Sequence, residues 1–166
     1  MTGREVEIEQ NSVLKTDEWL ISPNRSWEEV DVGLEDRLTV LEGCFANIGG
    51  TDFELGKRYG LETSVDLKTA RFLAYAAALD MTRLKQQSLR RSINDEEIQY
   101  QSSKQVIRKT YGMRGRANRD LEQLGQTRTA NIKSYQDDIN TSESIKGLIL
   151  RKLVIDTFSA DEDTSK

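Results

Sequence analysis

The chain contains no histidine, one cysteine and one proline among its 166 residues. Without histidine it has no Ser-His-Asp or Cys-His catalytic arrangement, no His-Glu-x-x-His zinc site and no Glu-x-x-His di-iron pair. The single cysteine, Cys44, excludes an intrachain disulfide and a structural zinc site of four cysteines. We therefore expect a protein that is not an enzyme and that binds neither a metal nor a cofactor.

The remaining chemical groups offer few alternatives. The sequence has no Gly-x-x-x-x-Gly-Lys-Ser/Thr loop, no Gly-x-Gly-x-x-Gly turn and no calcium-loop spacing. Cys44 lies beside Phe45 on the apolar side of a predicted helix, where a buried and inert thiol is expected. The pairs Glu96-Glu97 and Asp137-Asp138 are adjacent on predicted helices, and adjacent helical side chains do not face each other. We interpret both pairs as solvated.

Long apolar runs are also missing. The longest, residues 72–79, has eight residues, far short of the roughly 20 that span a bilayer. The amino terminus, Met1-Thr2-Gly3-Arg4-Glu5, has no apolar core of a secretory signal. We expect no membrane insertion and no secretion by a signal peptide. The lone cysteine favours a location in the cytoplasm or inside an assembled particle.

Charge is distributed unevenly along the chain. Residues 1–65 contain 6 Lys and Arg against 14 Asp and Glu, whereas residues 66–155 contain 17 against 10. Residues 156–166 are acidic again, with 1 against 4. A basic middle between acidic flanks favours contact with another copy, another protein or a polyanion. Head-to-tail contacts between copies close as rings or grow as filaments.

Hydrophobic spacing predicts helices from residue 26 onward. Ser26-Trp27-Glu28-Glu29 has the pattern of a capping box. The apolar residues after it recur at steps of three and four and share one helical face: Val30, Leu34, Leu38, Leu41, Phe45 and Ile48. Gly49-Gly50 is the predicted end of this helix. Thr51-Asp52-Phe53-Glu54 predicts a short second helix ending at Gly60, and Thr63-Ser64-Val65-Asp66 predicts the start of a third.

The third predicted helix is long and becomes polar along its length. A break is predicted at residues 111–115, Tyr-Gly-Met-Arg-Gly, because each glycine inside a helix costs about 1 kcal/mol. A further polar helix is predicted from about Arg116 to Phe158. We therefore predict an all-α fold with four parts: an extended acidic arm at 1–25, a small helical bundle at 26–85, a long polar helical hairpin or coiled-coil-like rod at 86–158, and an acidic tail at 159–166.

A polar helix of this length gains little from folding alone, so partner helices are expected. The predicted function is structural: an oligomerising helical adaptor or scaffold component of a larger complex, such as a virus particle. Trp19 interrupts a polar arm and is interpreted as an anchor onto its own domain or onto a neighbouring copy. Because Trp, Tyr and Arg dominate interface energetics, the predicted partner-contact residues are Trp19, Trp27, Arg114, Arg116 and Tyr135.

An alternative function is nucleic-acid association. Residues 108–119 carry five positive charges and no acid, which suits a phosphate backbone, and a tyrosine is present to stack on bases. The candidate contacts are Arg108, Lys109, Tyr111, Arg114, Arg116 and Arg119. Against this, the isoelectric point is near 5.1, and these charges could instead meet the chain's own acidic segments. A helix-turn-helix over 51–78 is a weaker alternative, with only Lys68 and Arg71 as bases.

Overall fold

The computed structural model describes residues 26–47, 58–61, 63, 65–111 and 115–163. Three helices account for nearly all of these residues: α1, Trp27–Ala46; α2, Leu67–Tyr111; and α3, Gly115–Asp163. No strand occurs within the described ranges. The protein is all-α, which confirms the fold class predicted from its hydrophobic spacing.

Helix α1 begins with the predicted capping box. The Ser26 hydroxyl accepts from the Glu29 amide at 3.3 Å, and the Ser26 amide donates to Glu29 Oε2 at 2.9 Å. The helix ends at Ala46, and the Asn47 side chain donates to the Gly43 carbonyl at 2.9 Å. The glycine stop at 49–50 and residues 51–57 of the second predicted helix lie outside the described residues, while Arg58 is helical and residues 59–60 form a turn at the predicted end.

Helix α2 begins three residues later than the pattern starting at Thr63 predicts. Its first residue is Leu67, and the Asp66 carboxylate is the capping group. The Thr69 amide donates to Asp66 Oδ1 at 2.9 Å, and the Thr69 hydroxyl donates to Oδ2 at 2.8 Å. These bonds lower the pKa of Asp66. Upstream, Gly60 has a φ of 68°, a left-handed conformation that glycine adopts without strain.

The chain divides into two compact units. The first combines the described residues up to Lys85 with those from Glu143 onward, so it contains α1, the start of α2 and the end of α3. Its core is formed by large side chains that are 0–1 % exposed, contributed by all three helices: Leu38, Leu41, Phe45, Tyr75, Met81, Ile145 and Ile149. Cys44 is buried in the same cluster, as predicted.

The second unit, Gln86–Ser142, is a helical hairpin. Helix α2 ends at Tyr111 and α3 begins at Gly115, which confirms the predicted break. The only buried hydrophobic residues among the described part of this unit are Leu89 and Ala117. The sequence bounds predicted for the bundle and the hairpin, 26–85 and 86–158, stay a prediction. Among the described helices, none combines the length and apolar character of a membrane span.

Candidate functional site

Arg71 joins the three helices of the first unit. Its Nη2 donates to Glu35 Oε1 of α1 at 2.5 Å, and its Nε donates to Asp156 Oδ2 of α3 at 3.2 Å. Nη1 lies 3.5 Å from Glu42 Oε2. Burial alone would lower the pKa of the guanidinium, but the bonds to Glu35 and Asp156 outweigh it and raise the pKa. The arginine therefore remains charged, and all three of its guanidinium nitrogens contact carboxylates of α1 or α3.

Two further polar groups belong to the same cluster. The Tyr75 hydroxyl donates to Asp156 Oδ2 at 2.5 Å, and burial followed by this contact raises the pKa of the phenol. Lys152 Nζ lies 2.8 Å from Asp31 and 3.3 Å from Glu35. Burial lowers the pKa of Lys152, whereas its two acidic partners raise it more. We name Glu35, Arg71, Tyr75, Lys152 and Asp156 the ion cluster.

The ion cluster has the chemistry of a structural junction. Each of its acidic groups accepts from a cation or a phenol, so no unpaired base stands beside a nucleophile. No group of three metal-ligating side chains is found among the described residues. Elsewhere in this unit the Tyr59 hydroxyl donates to Asp80 at 3.2 Å. Burial, and then the Asp80 charge, raise the pKa of Tyr59 to about 12.

The helix-turn-helix alternative relied on two bases at the start of α2. The Arg71 guanidinium binds carboxylates of α1 and α3, so it is not available to bind an external phosphate. Ala70 and Ala74 on the same turns are buried in the core. Lys68 alone remains exposed, which is a poor recognition surface. The upstream half of the motif, residues 51–57, lies outside the described residues.

The turn end of the hairpin in the second unit is strongly basic. Arg108, Lys109, Arg116 and Arg119 are exposed, and none is paired with a described carboxylate. Tyr111 is 41 % exposed, and the Arg116 guanidinium lies 5.7 Å from the centre of its ring. We name these five residues the hairpin tip. The structure brings these predicted nucleic-acid contacts together, while Arg114 lies outside the described residues.

The hairpin stems are held mainly by polar contacts. Arg128 of α3 forms an ion pair with Glu97 of α2, and its Nε donates to Glu97 Oε2 at 2.7 Å. Asn131 donates to Glu96 Oε1 at 3.0 Å. The Arg128 guanidinium also lies 4.9 Å from the centre of the Tyr100 ring. Glu96 and Glu97, interpreted from sequence as solvated, thus face the partner stem.

An apolar surface on α3 was missed by the sequence reasoning. Leu150, Val154 and Phe158 are 41 %, 51 % and 70 % exposed, while Ile145 and Ile149 on the opposite face are at most 1 % exposed. We name Leu150, Val154 and Phe158 the apolar stripe. Arg151 and Ile155 join its first two residues in lining a shallow, almost entirely apolar depression. The spacing of four residues in the apolar stripe can be read from the sequence, as can the same spacing of the inward-facing Ile145 and Ile149.

The five predicted partner-contact residues are only partly described. Trp19 and Arg114 lie outside the described residues, and Trp27 is the first residue of α1, with its side chain outside them as well. Arg116 is exposed at the hairpin tip, and Tyr135 is half-buried on α3. The chain matches no protein-family model, no curated protein and no solved structure. The two exposed surfaces that bear on its function are the apolar stripe and the hairpin tip.

Proposed function

We propose that the protein is a non-enzymatic assembly component, an oligomerising helical adaptor or scaffold within a larger complex. The apolar stripe is the observation that carries this proposal. Phe158 is 70 % exposed on a helix whose other face already fills the core, so no rotation of the helix can bury both faces. Apolar surface gains about 25 cal/mol per Å² when it is removed from water, and contiguous exposed patches mark interaction sites.

The composition of the second unit supports the same proposal. Its stems contribute few buried apolar side chains, while Ile98 and Val106 remain 57 % and 62 % exposed. Long polar helices acquire most of their stability from packing against other elements. A companion helix laid along this hairpin would cover these side chains.

The ion cluster supports a non-enzymatic role. Perturbed titratable groups often mark active sites, but those of this unit are engaged with one another. Arg71 and Lys152 bind acids from neighbouring helices, and Tyr75 donates to one of these acids. Their chemistry is directed to holding helices together. We place the protein in the cytoplasm or inside an assembled particle, such as a virus particle.

The test compares the molar mass of three forms by light scattering at equal concentration. Val154→Glu introduces a charge into the apolar stripe and is expected to reduce the mass toward that of one chain. Val32→Glu is the matched control, because Val32 is also an exposed helical valine, at 60 %, but belongs to α1. An unchanged mass for Val154→Glu, or a wild-type protein of single-chain mass, contradicts the proposal.

The hairpin tip favours a second candidate function, association with nucleic acid. Four exposed cations without an acidic partner in the described chain can bind phosphates, and Tyr111 offers an exposed ring for stacking. From residue 98 to residue 119 the sequence contains six Lys and Arg and no acid. The tip is thus a local basic surface on an otherwise acidic protein.

A salt titration of binding to a random single-stranded oligonucleotide tests this candidate. The slope of log affinity against log salt is expected to fall by about one to two when Arg108→Ala and Arg116→Ala are combined, since each phosphate contact contributes about 0.7. Arg90→Ala is the control, because Arg90 is an exposed arginine of the same unit outside the tip. Absence of binding at low salt contradicts the candidate.

A further inference from the structure

We propose that the apolar stripe pairs with the same stripe of a second copy, with the two α3 helices antiparallel. This inference rests on the proposed assembly function and deepens it by naming the partner and its orientation. Leu150, Val154 and Phe158 follow one another at intervals of four residues, so they lie on one side of α3. Side chains arranged in this way form the ridge that one helix packs into the groove of another.

The same face permits a close approach. Gly147 precedes Val154 by seven residues, two helical turns, and therefore shares its face. A Cβ atom added at Gly147 would meet nothing within 4 Å, so the surface above this residue is open. When two stripes run antiparallel about Val154, Leu150 of each copy lies opposite Phe158 of the other. A large aromatic ring then faces a smaller aliphatic side chain at both ends.

Charge complementarity selects the antiparallel orientation. Residues 161–163 are Asp-Glu-Asp, and the last turn of α3 contains no basic residue. Negative charge at a helix carboxyl end is unfavourable with the helix dipole, so nearby cations would stabilise this end. Antiparallel pairing places it opposite Lys146 and within a turn of Arg151 of the second copy. Parallel pairing would instead place one acidic end against another.

The two cations are available for this contact. Arg151 is exposed, and no carboxylate of the described residues lies within ion-pair distance of it. Among the described carboxylates, Lys146 contacts Glu143 alone, at a loose 3.8 Å and one turn away on its own helix. Surface pairs of this kind contribute little within one chain. Across two copies the same cations would lie near the acidic residues 161–163.

The amino-terminal arm is the rival occupant of the apolar stripe. Trp19-Leu20-Ile21 is the most apolar segment of the arm, and it follows Asp17-Glu18. The arm, residues 1–25, carries 3 Lys and Arg against 5 Asp and Glu, so its docking there would add net negative charge to the acidic end of α3. The charge pattern therefore favours a second copy. The small size of the apolar stripe predicts a dissociation constant in roughly the micromolar range.

Disulfide trapping tests the pairing in the full-length chain. Cys44→Ala removes the buried native thiol, and Leu150→Cys and Phe158→Cys are made separately in this background. Mixing the two under mild oxidation is expected to yield about tenfold more covalent dimer than either variant alone, because a disulfide requires Cα atoms within about 7 Å. Val106→Cys, at an exposed position of the second unit, is the control and is expected to give none.

A second measurement uses charge reversal and needs no cysteine. Arg151→Glu is expected to weaken self-association about tenfold, since it places an acid within a turn of the acidic end of the other copy. Adding Asp161→Lys to the same chain is expected to restore association, because each reversed residue then meets the other across the pair. Failure of this restoration overturns the antiparallel arrangement.

The remaining outcomes separate this inference from the proposed function. Dimers formed by each single variant alone indicate parallel helices and overturn the inference. A disulfide that forms only after Trp19→Ser shows that the arm covers the apolar stripe, which also overturns it. Oligomers by light scattering without any disulfide overturn the inference and leave the assembly function standing. A protein that stays at single-chain mass overturns both.

Discussion

Arg71 Nε and Asp156 Oδ2 lie 3.2 Å apart, although 85 residues separate them in the chain. The contact joins the beginning of α2 to the end of α3, and Glu35 of α1 accepts from the same guanidinium at 2.5 Å. One arginine thus connects all three helices of the first unit. These contacts and the buried Ile145 and Ile149 lie on the inward side of α3, and the apolar stripe lies on its outer side.

Removal of this arginine is expected to destabilise the first unit. Arg71→Ala deletes three contacts of a side chain that is 22 % exposed. It removes the cation that binds Glu42 and Asp156, while Glu35 keeps Lys152 alone among the described cations. We expect the free energy of unfolding in urea to fall by about 1–3 kcal/mol. Arg83→Ala is the control, because its 3.7 Å pair with Asp80 is exposed and worth at most about 1 kcal/mol. Equal losses in the two variants would contradict this role.

Tyr59 is expected to titrate late. Burial and Asp80 raise its pKa from 10.0 to about 12, so the folded protein holds the phenolic proton more tightly than the unfolded chain. The resulting stabilisation is complete below pH 10 and is lost as the pH rises toward 12. The ultraviolet absorbance of tyrosinate should show one phenol fewer titrating near pH 12 in Tyr59→Phe than in the wild type, while Tyr75, whose pKa is also raised, titrates late in both proteins. Identical titration curves for the two proteins would refute the assignment.

Glu97 is expected to titrate below its ordinary range. Its bonds with Gln101 and Arg128 lower its pKa, so the stabilisation they give is present above the ordinary pKa of a glutamate. It is lost as the pH falls through the lowered value. Carboxyl titration by NMR should show the pKa rising in Arg128→Ala and staying unchanged in Lys133→Ala, which removes an exposed cation of the same helix. A pKa that is insensitive to Arg128 would argue against the ion pair in solution.

Ser142 is expected to reduce stability. Its hydroxyl is fully buried and has no hydrogen-bond partner among the described residues, so the group is desolvated without compensation. Ser142→Ala should raise the free energy of unfolding by about 1 kcal/mol. Ser92→Ala is the control for the higher helix propensity of alanine, since the Ser92 hydroxyl donates to the Ser88 carbonyl at 3.2 Å. A gain no larger than that of the control would mean that the hydroxyl is satisfied.

The helices were predictable where local chemistry decides them. The reciprocal bonds of Ser26 and Glu29 involve residues three apart, so the start of α1 could be derived from sequence. The start of α2 could not. Thr63 and Asp66 are both of a residue type that caps helices, and a long-range bond from the Val65 amide to the Phe45 carbonyl, at 3.4 Å, keeps Val65 outside the helix.

The apolar stripe illustrates a second limit of sequence reasoning. Near its end α3 carries apolar residues on two faces, and spacing alone does not tell which face enters the core. The inward face contacts partners that are distant in sequence, Asp31 for Lys152 and Arg71 for Asp156, and spacing along α3 does not reveal them. The basic hairpin tip was predicted, because its charges are contiguous in sequence. Trp19 and Arg114 lie outside the described residues, and their contacts stay predictions.

Sedimentation equilibrium of the wild-type chain over a wide range of concentrations tests the central claim most directly. Self-association through exposed helical surfaces predicts an average mass that rises with concentration, from 18.9 kDa at high dilution toward at least twice the single-chain mass at concentrations well above a roughly micromolar dissociation constant. A mass that remains at that of one chain at every concentration, with the helical content unchanged, would contradict the account.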